Sequence, residues 1–441
     1  MRRQSDRVVL SALFLVAFTI FLSSGVHQIF DSEYSMLLSE SLLYHHTLTL
    51  DHYAFPGINA PLPLDSGSNP KPHQLEVVKG HVYYAYPFGS SILSVPYVAL
   101  MNALGVSAAN ADATFNFSGE KTIEKTLAAL LMAGLISIFY CTARLLLPVS
   151  WSAIVALSAG LGTQVWSTAS RGLWSDTWGI FLLGLVIWVL LASETRGATI
   201  RPFLLATLLA WTYFVRPTYA VAIIAISAYI LVCRRQLFVS YVLTGCAWFV
   251  AFVAYSWNAF GQPLPAYYRQ GASFSLQHLR TGLAANLISP SRGLLVFAPV
   301  VLFAVYLVIR YRREIAAPRL VLVAGGAITV HLLTVSTYQC WWAGHSYGAR
   351  FSTDLVPWFM LLGILGLSGR AERLRRQPPP AMRCGLRAEL VVGILLLAWS
   401  VALNAVGATS GRAARWNAEP VDINARPDRI WDWRHAQFWP G

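Results

Sequence analysis

Eleven apolar windows, nearly free of charge, recur along the chain at residues 8–25, 126–147, 151–167, 174–192, 202–215, 218–232, 237–258, 293–309, 320–338, 354–368 and 388–406. Each is long enough, or nearly so, to cross the hydrocarbon of a bilayer as a helix. A further window at 88–104 carries Gly89, Ser90, Ser91, Ser94 and Pro96. It is expected to be juxtamembrane or re-entrant, where protein can cover its polar groups. The pattern predicts an all-α polytopic membrane protein with about eleven transmembrane helices, within a range of roughly ten to thirteen.

The loops between windows carry a second pattern. Arg144, Arg196 with Arg201, Arg234 with Arg235, the cluster Arg310, Arg312, Arg313 and Arg319, and six arginines within 370–387 all fall in alternate short loops. If the spans alternate from a cytoplasmic N-terminus, every one of these loops lies inside, as the positive-inside rule requires. The opening Met1-Arg2-Arg3 and apolar run from Val8 have the form of a signal sequence without an A-x-A cleavage site, so an uncleaved first helix is expected. On the outer face lie three segments, 26–87, 259–292 and 339–353, and a tail, 407–441. The first reads as a helix at 32–44, turn-rich chain around Pro56, Pro61, Pro63 and Pro70, and a strand-like piece at 75–86. The tail, with Trp416, Trp431, Trp433 and Trp439, is expected to lie along the membrane interface as an anchor.

Composition narrows the class. Only 12% of residues are charged, against about 25% in soluble globular proteins, and mean hydropathy is +0.52. That excludes a soluble enzyme, a secreted disulfide scaffold and a disordered chain. The net charge of +13 invites a nucleic-acid reading, but the cations sit at window ends instead of on one basic face, so no nucleic-acid partner is expected. The five cysteines are odd in number and lack C-x-x-C spacing. No His/Asp/Glu cluster has metal-ligand spacing; a divalent cation is permitted but not demanded.

Three groups could carry chemistry. Asp31 and Glu33 stand where the chain leaves the first helix; partial desolvation there raises carboxyl pKa values and a nearby cation holds one ionised, as a general base requires. Their structural alternative is capping the helix that follows. Arg171, Arg216, Arg292 and Arg350 end apolar windows on the face where topology needs no positive charge, and a guanidinium fork there suits a phosphate at headgroup level. Snorkelling, or pairing with Asp176 and Asp354, is the better account of any one of them, but of four on one face at least one is expected to bind phosphate. Trp341, Trp342 and His345 lie among glycines in 338–351 and suit sugar binding or an interfacial belt; Lys79, Tyr84 and Tyr86 form a patch of similar chemistry, whose alternative is a solvated loop.

The acid pair after the first helix, Tyr84-Ala85-Tyr86-Pro87-Phe88-Gly89-Ser90, Arg216-Pro217, Trp257-Asn258 leading to Gly261, Ser289-Pro290-Ser291-Arg292-Gly293 and Trp341-Trp342-Ala343-Gly344-His345-Ser346-Tyr347-Gly348-Ala349-Arg350 together resemble the motifs of GT-C fold glycosyltransferases. Within that group they resemble the branch related to the protein O-mannosyltransferases and the lipid A aminoarabinose transferases. The resemblance implies a single GT-C-type domain over 1–441 in a bacterial cytoplasmic membrane. It implies inverting transfer of a sugar from a polyprenyl-phosphate carrier to a glycan, lipid or protein acceptor on the non-cytoplasmic side. Asp31 with Glu33 would then be catalytic, Arg350 and Arg292 would hold the donor phosphate, and Ser32 separates acids that are adjacent in many relatives. A transporter or flippase for a lipid-linked sugar is the rival, and would place polar or broken helices near the bilayer midplane. A structural subunit without chemistry is the third reading.

Overall fold

The computed structural model describes residues 2–55, 58, 72–270, 274–376 and 382–439. Among the described residues, 69% are helical and seven helices are long and apolar enough to cross a membrane. Four shorter apolar helices accompany them: Val149–Leu161, Pro202–Val215, Pro217–Cys233 and Val300–Arg310. This is an all-α membrane protein. Each apolar window holds one of these helices, but the shorter ones, at 1.5 Å rise per residue, fall short of a hydrocarbon core of about 30 Å.

In chain order the helices are α1 (Arg2–Ser23), α2 (Ser35–His45), α3 (Gly89–Ala103), α4 (Phe117–Ala143), α5 (Val149–Leu161), α6 (Ser175–Arg196), α7 (Pro202–Val215), α8 (Ala220–Cys233), α9 (Arg235–Phe260), α10 (Ala266–Gln270), α11 (Leu279–Ile288), α12 (Leu294–Phe297), α13 (Val300–Arg310), α14 (Pro318–Ser336), α15 (Val356–Arg376), α16 (Met382–Thr409) and α17 (Gly411–Arg415). Pro299 lies in the break between α12 and α13, just before the first residue of α13, where its missing N–H costs least. The 88–104 window becomes α3, packed on α2 and α7. The strand-like stretch is an antiparallel hairpin, β1 (Leu75–Val78) with β2 (His81–Tyr84), in register Leu75 to Tyr84 and Val78 to His81. Lys79 and Gly80 both take positive φ (53° and 84°), the tight turn that suits strand twist. Most of the turn-rich 56–70 stretch lies outside the described residues.

At the centre stand α4, α6 and α15, with 67%, 67% and 78% of their apolar windows buried; α9 buries only 11%. Exposed Val239, Leu243, Phe249 and Val250 on α9 present the apolar surface that lipid would cover. Small residues set the packing, because lipid offers no hydrophobic drive between helices. A Cβ on Gly160 would meet Ile136 at 2.3 Å, and one on Gly366 would meet Leu307 at 2.6 Å. The two ends of the bundle differ in chemistry. Arg144 bonds Asp6 at 2.8 Å, Arg196 reaches the Arg144 carbonyl, and Arg234 pairs with Glu194, so these basic loops share one end. At the other end α1 meets α16 through Val26 N–H to Ala408 O.

Three buried acids tie the first long segment to that second end. Glu120 of α4 accepts the Met36 and Leu37 N–H groups at 2.8 and 3.0 Å and so caps α2. Glu124 accepts from Ser32, Ser35 and Leu173 N, while Glu40 accepts from Ser107 and Ala108 N. The orphan donors at the start of α2 are therefore met by another helix, which leaves Asp31 free for other contacts.

Candidate active site

A cavity of about 980 Å³ opens at this end of the bundle. Its lining includes Asp31 from the turn that leads into α2, Tyr86 after the hairpin, Trp174 before α6, Arg216 after α7 and Arg350 just before α15. Helix termini supply nearly all of its charged groups, so rigid elements fix their positions. Tyr267 and Tyr268 of α10, Tyr338 just after α14, and Trp342 and His345 of the 339–353 segment add aromatic walls.

Asp31 is the hub. One carboxylate oxygen accepts from Arg350 Nη2 at 2.9 Å and the other from the Tyr86 hydroxyl at 3.1 Å, while the Tyr84 hydroxyl donates to its carbonyl. A carboxylate offers about four lone-pair sites, so acceptor capacity remains towards the cavity. Burial, then the negative charge of Asp31, raises the Tyr86 hydroxyl above its ordinary value and keeps it a donor. Glu33 lies two residues on but turns away; Gln74 Nε2 approaches it at 3.4 Å, and burial raises its carboxyl against the pull of His73. It does not line the cavity.

Arg350 stacks 3.5 Å above the Trp174 ring, and its Nε lies 3.8 Å from Asp176 Oδ2; neither of those two atoms has a hydrogen-bond partner. Arg216 is more committed: it donates to Asp176 and Ser175, and its Nε bonds Thr218 and lies 3.1 Å from Asp354. The pairing with Asp176 and Asp354 weighed from the sequence is thus present at Arg216. Arg350, with its Nε unpaired, is the guanidinium with a free donor beside Asp31.

The other sequence-derived residues separate from the cavity. Arg171 is fully buried and spends its donors on the α1-end carbonyls of Phe21, Ser24 and Val26. Arg292, 1% exposed, directs its donors at the carbonyls of Ser291, Trp342 and Gly344 and at the side-chain oxygens of Asn417 and Gln437. Lys79 sits exposed at the hairpin turn, 3.3 Å from the Asn258 carbonyl, and Trp341 packs against Trp416, Ile423 and Ile430 of the tail.

The tail is bound to the bundle through Arg292 and the buried Gln437, and it brings Asp422 and Asn424 to the cavity. His345 Nε2 meets Asp422 Oδ2 at 2.8 Å. Burial pushes the Asp422 carboxyl up, but His345 and the Asn424 N–H outweigh it and hold it below the usual carboxylate range. Sequence reasoning passed over Trp174, Tyr267, His73, Asp422 and Asn424. For Trp174 a signal existed: it shares a heptapeptide with Arg171, and the site uses Trp174 and Asp176 where the charge of Arg171 drew notice. Among the described residues no group of three His, Cys, Asp or Glu side chains is arranged to hold a metal ion. In comparisons with known proteins, no family model matches the chain and no curated protein matches it.

Proposed function

We propose that the protein is an inverting glycosyltransferase of GT-C type that uses a polyprenyl-phosphate-linked sugar. One observation carries the reading: Asp31 and Arg350, 319 residues apart, meet at 2.9 Å inside a large aromatic cavity at the ends of apolar helices. A lipid-borne donor needs that combination of headgroup depth, a cation for phosphate and a base for the incoming hydroxyl. In the proposed step, the acceptor hydroxyl oxygen bonds the anomeric carbon as the carbon–oxygen bond to phosphate breaks. The hydroxyl proton passes to Asp31, and the electron pair leaves with the polyprenyl phosphate. Arg350 turns from Asp31 towards the phosphate, which frees the carboxylate as the donor arrives.

On this reading the seven long and four shorter apolar helices make eleven crossings. The basic loops lie in the cytoplasm, and the cavity opens on the opposite face. A flippase would need polar groups at the midplane, whereas Asp31, Asp176, Arg216, Asp354 and Arg350 all lie at helix ends. The test is transfer of radiolabelled sugar from synthetic polyprenyl-phosphate donors to envelope acceptor fractions by purified protein in liposomes. Product formation supports the proposal. Movement of the donor between leaflets without product would make the protein a flippase.

A further inference from the structure

One part of the cavity wall, the tail pole, is built where the tail crosses the 339–353 segment. Trp342, His345, Asp422 and Asn424 line it. Their side chains fix one another. His345 bonds Asp422 Oδ2, the Asn424 N–H donates to Asp422 Oδ1 at 2.8 Å, and Trp342 Nε1 donates to Asn424 Oδ1 at 3.0 Å. With its oxygen so engaged, the Asn424 amide presents its NH₂ as donor, while Asp422 keeps spare lone pairs as acceptor. Beneath them Ile423 and Ile430 are fully buried, and Arg292 clamps Asn417 and Gln437, so the wall is rigid.

An indole face flanked by a carboxylate, a primary amide and an imidazole matches a hydroxyl-bearing ring. The C–H face of such a ring stacks on the indole, and its vicinal hydroxyls pair with acid and amide. A cavity near 980 Å³ lies at the upper end of ligand pockets, with room for two substrates. Peptide acceptors are commonly read through pairing with a strand edge, and among the described residues no strand residue lines the cavity. We infer that the tail pole is the acceptor subsite, and that it takes the carbohydrate end of a glycan or glycolipid. This rests on the transferase reading, with the donor phosphate at Arg350.

Saturation-transfer difference NMR on the full chain in nanodiscs tests it directly, with methyl glucoside, mannoside and galactoside as probes and a Ser/Thr-rich peptide as control. At least one glycoside should bind saturably, and Asp422→Asn and Asn424→Ala should each weaken it about tenfold, the loss of one hydrogen bond to a charged or well-oriented group. In transfer assays Asp422→Asn should raise the acceptor KM and leave the donor KM unchanged. Absence of glycoside binding, wild-type affinity in both variants, or saturation by the peptide instead would overturn the subsite. Glycoside binding that responds to Asp422→Asn in a protein without transfer activity would uphold a carbohydrate site at the tail pole but sink the transferase reading and its acceptor role with it. Transfer whose acceptor KM ignores Asp422→Asn would do the reverse.

Discussion

Replacing Arg292 by lysine separates a phosphate ligand from a structural clamp. The arginine aims five N–H donors at five acceptors on the tail, the 339–353 segment and its own loop. Lysine offers three donors from one point, so at least two acceptors lose a charged partner. At about 1.5–3 kcal/mol for each hydrogen bond to a charged group, docking of the tail weakens by about 3–6 kcal/mol. Amide exchange across 411–439 should then accelerate by about two to four orders of magnitude, since every 1.4 kcal/mol is a factor of ten. Trypsin should also cut faster at the exposed Arg412 and Arg415. Because the same clamp orients Trp342 and Gly344, acceptor use should fall while donor dependence holds. Unchanged tail protection combined with a raised donor requirement would refute this reasoning and make Arg292 a phosphate ligand.

Arg350→Lys keeps the charge but loses the planar fork and the stack on Trp174, so the donor KM should rise about tenfold or more with membrane assembly unchanged. Glu120→Gln keeps one of two acceptor oxygens, leaving Met36 or Leu37 N–H unpaired; α2 should lose about 1–3 kcal/mol, read as faster exchange of those amides. At Asp51, burial pushes the carboxyl up but the Val82 N–H and His81 outweigh it, so its folded value lies below the usual range. A depressed carboxyl contributes stability above its unfolded pKa of about 3.9 and loses it as pH falls through the folded value. Protection of hairpin amides 75–84 should accordingly hold from neutral pH to about pH 4 and drop below it, and a loss beginning near pH 6 would contradict the assignment.

How much was legible in the sequence depended on the range of the interaction. The apolar windows marked the helices, and the arginine spacing marked the loops of Arg144, Arg196 and Arg234 that share one end, because both patterns are local and repeated. The window at 88–104 was separable from the others by its serines and Pro96, and α3 lies on α2 and α7. Asp31 was found by position, but nothing local distinguished a capping acid from a cavity acid. That distinction came from Glu120, 89 residues away, which caps α2 in its place. The arginines divide for the same reason. Arg171 and Arg292 look like Arg350 in sequence, yet they meet backbone carbonyls contributed by distant segments. The tail was read by its tryptophans as an anchor, whereas Asp422 and Asn424 reach the cavity only because Arg292 and Gln437 fix a fold that no local pattern announces.

The most direct test of the central claim is single-turnover sugar transfer by wild-type protein and by Asp31→Asn, with donor binding measured in the same preparations. Asparagine keeps the size of the side chain and one oxygen but removes the proton acceptor. The account predicts a turnover at least about a hundredfold lower with donor still bound, the low end of general-base contributions. Transfer at the wild-type rate by Asp31→Asn would contradict it.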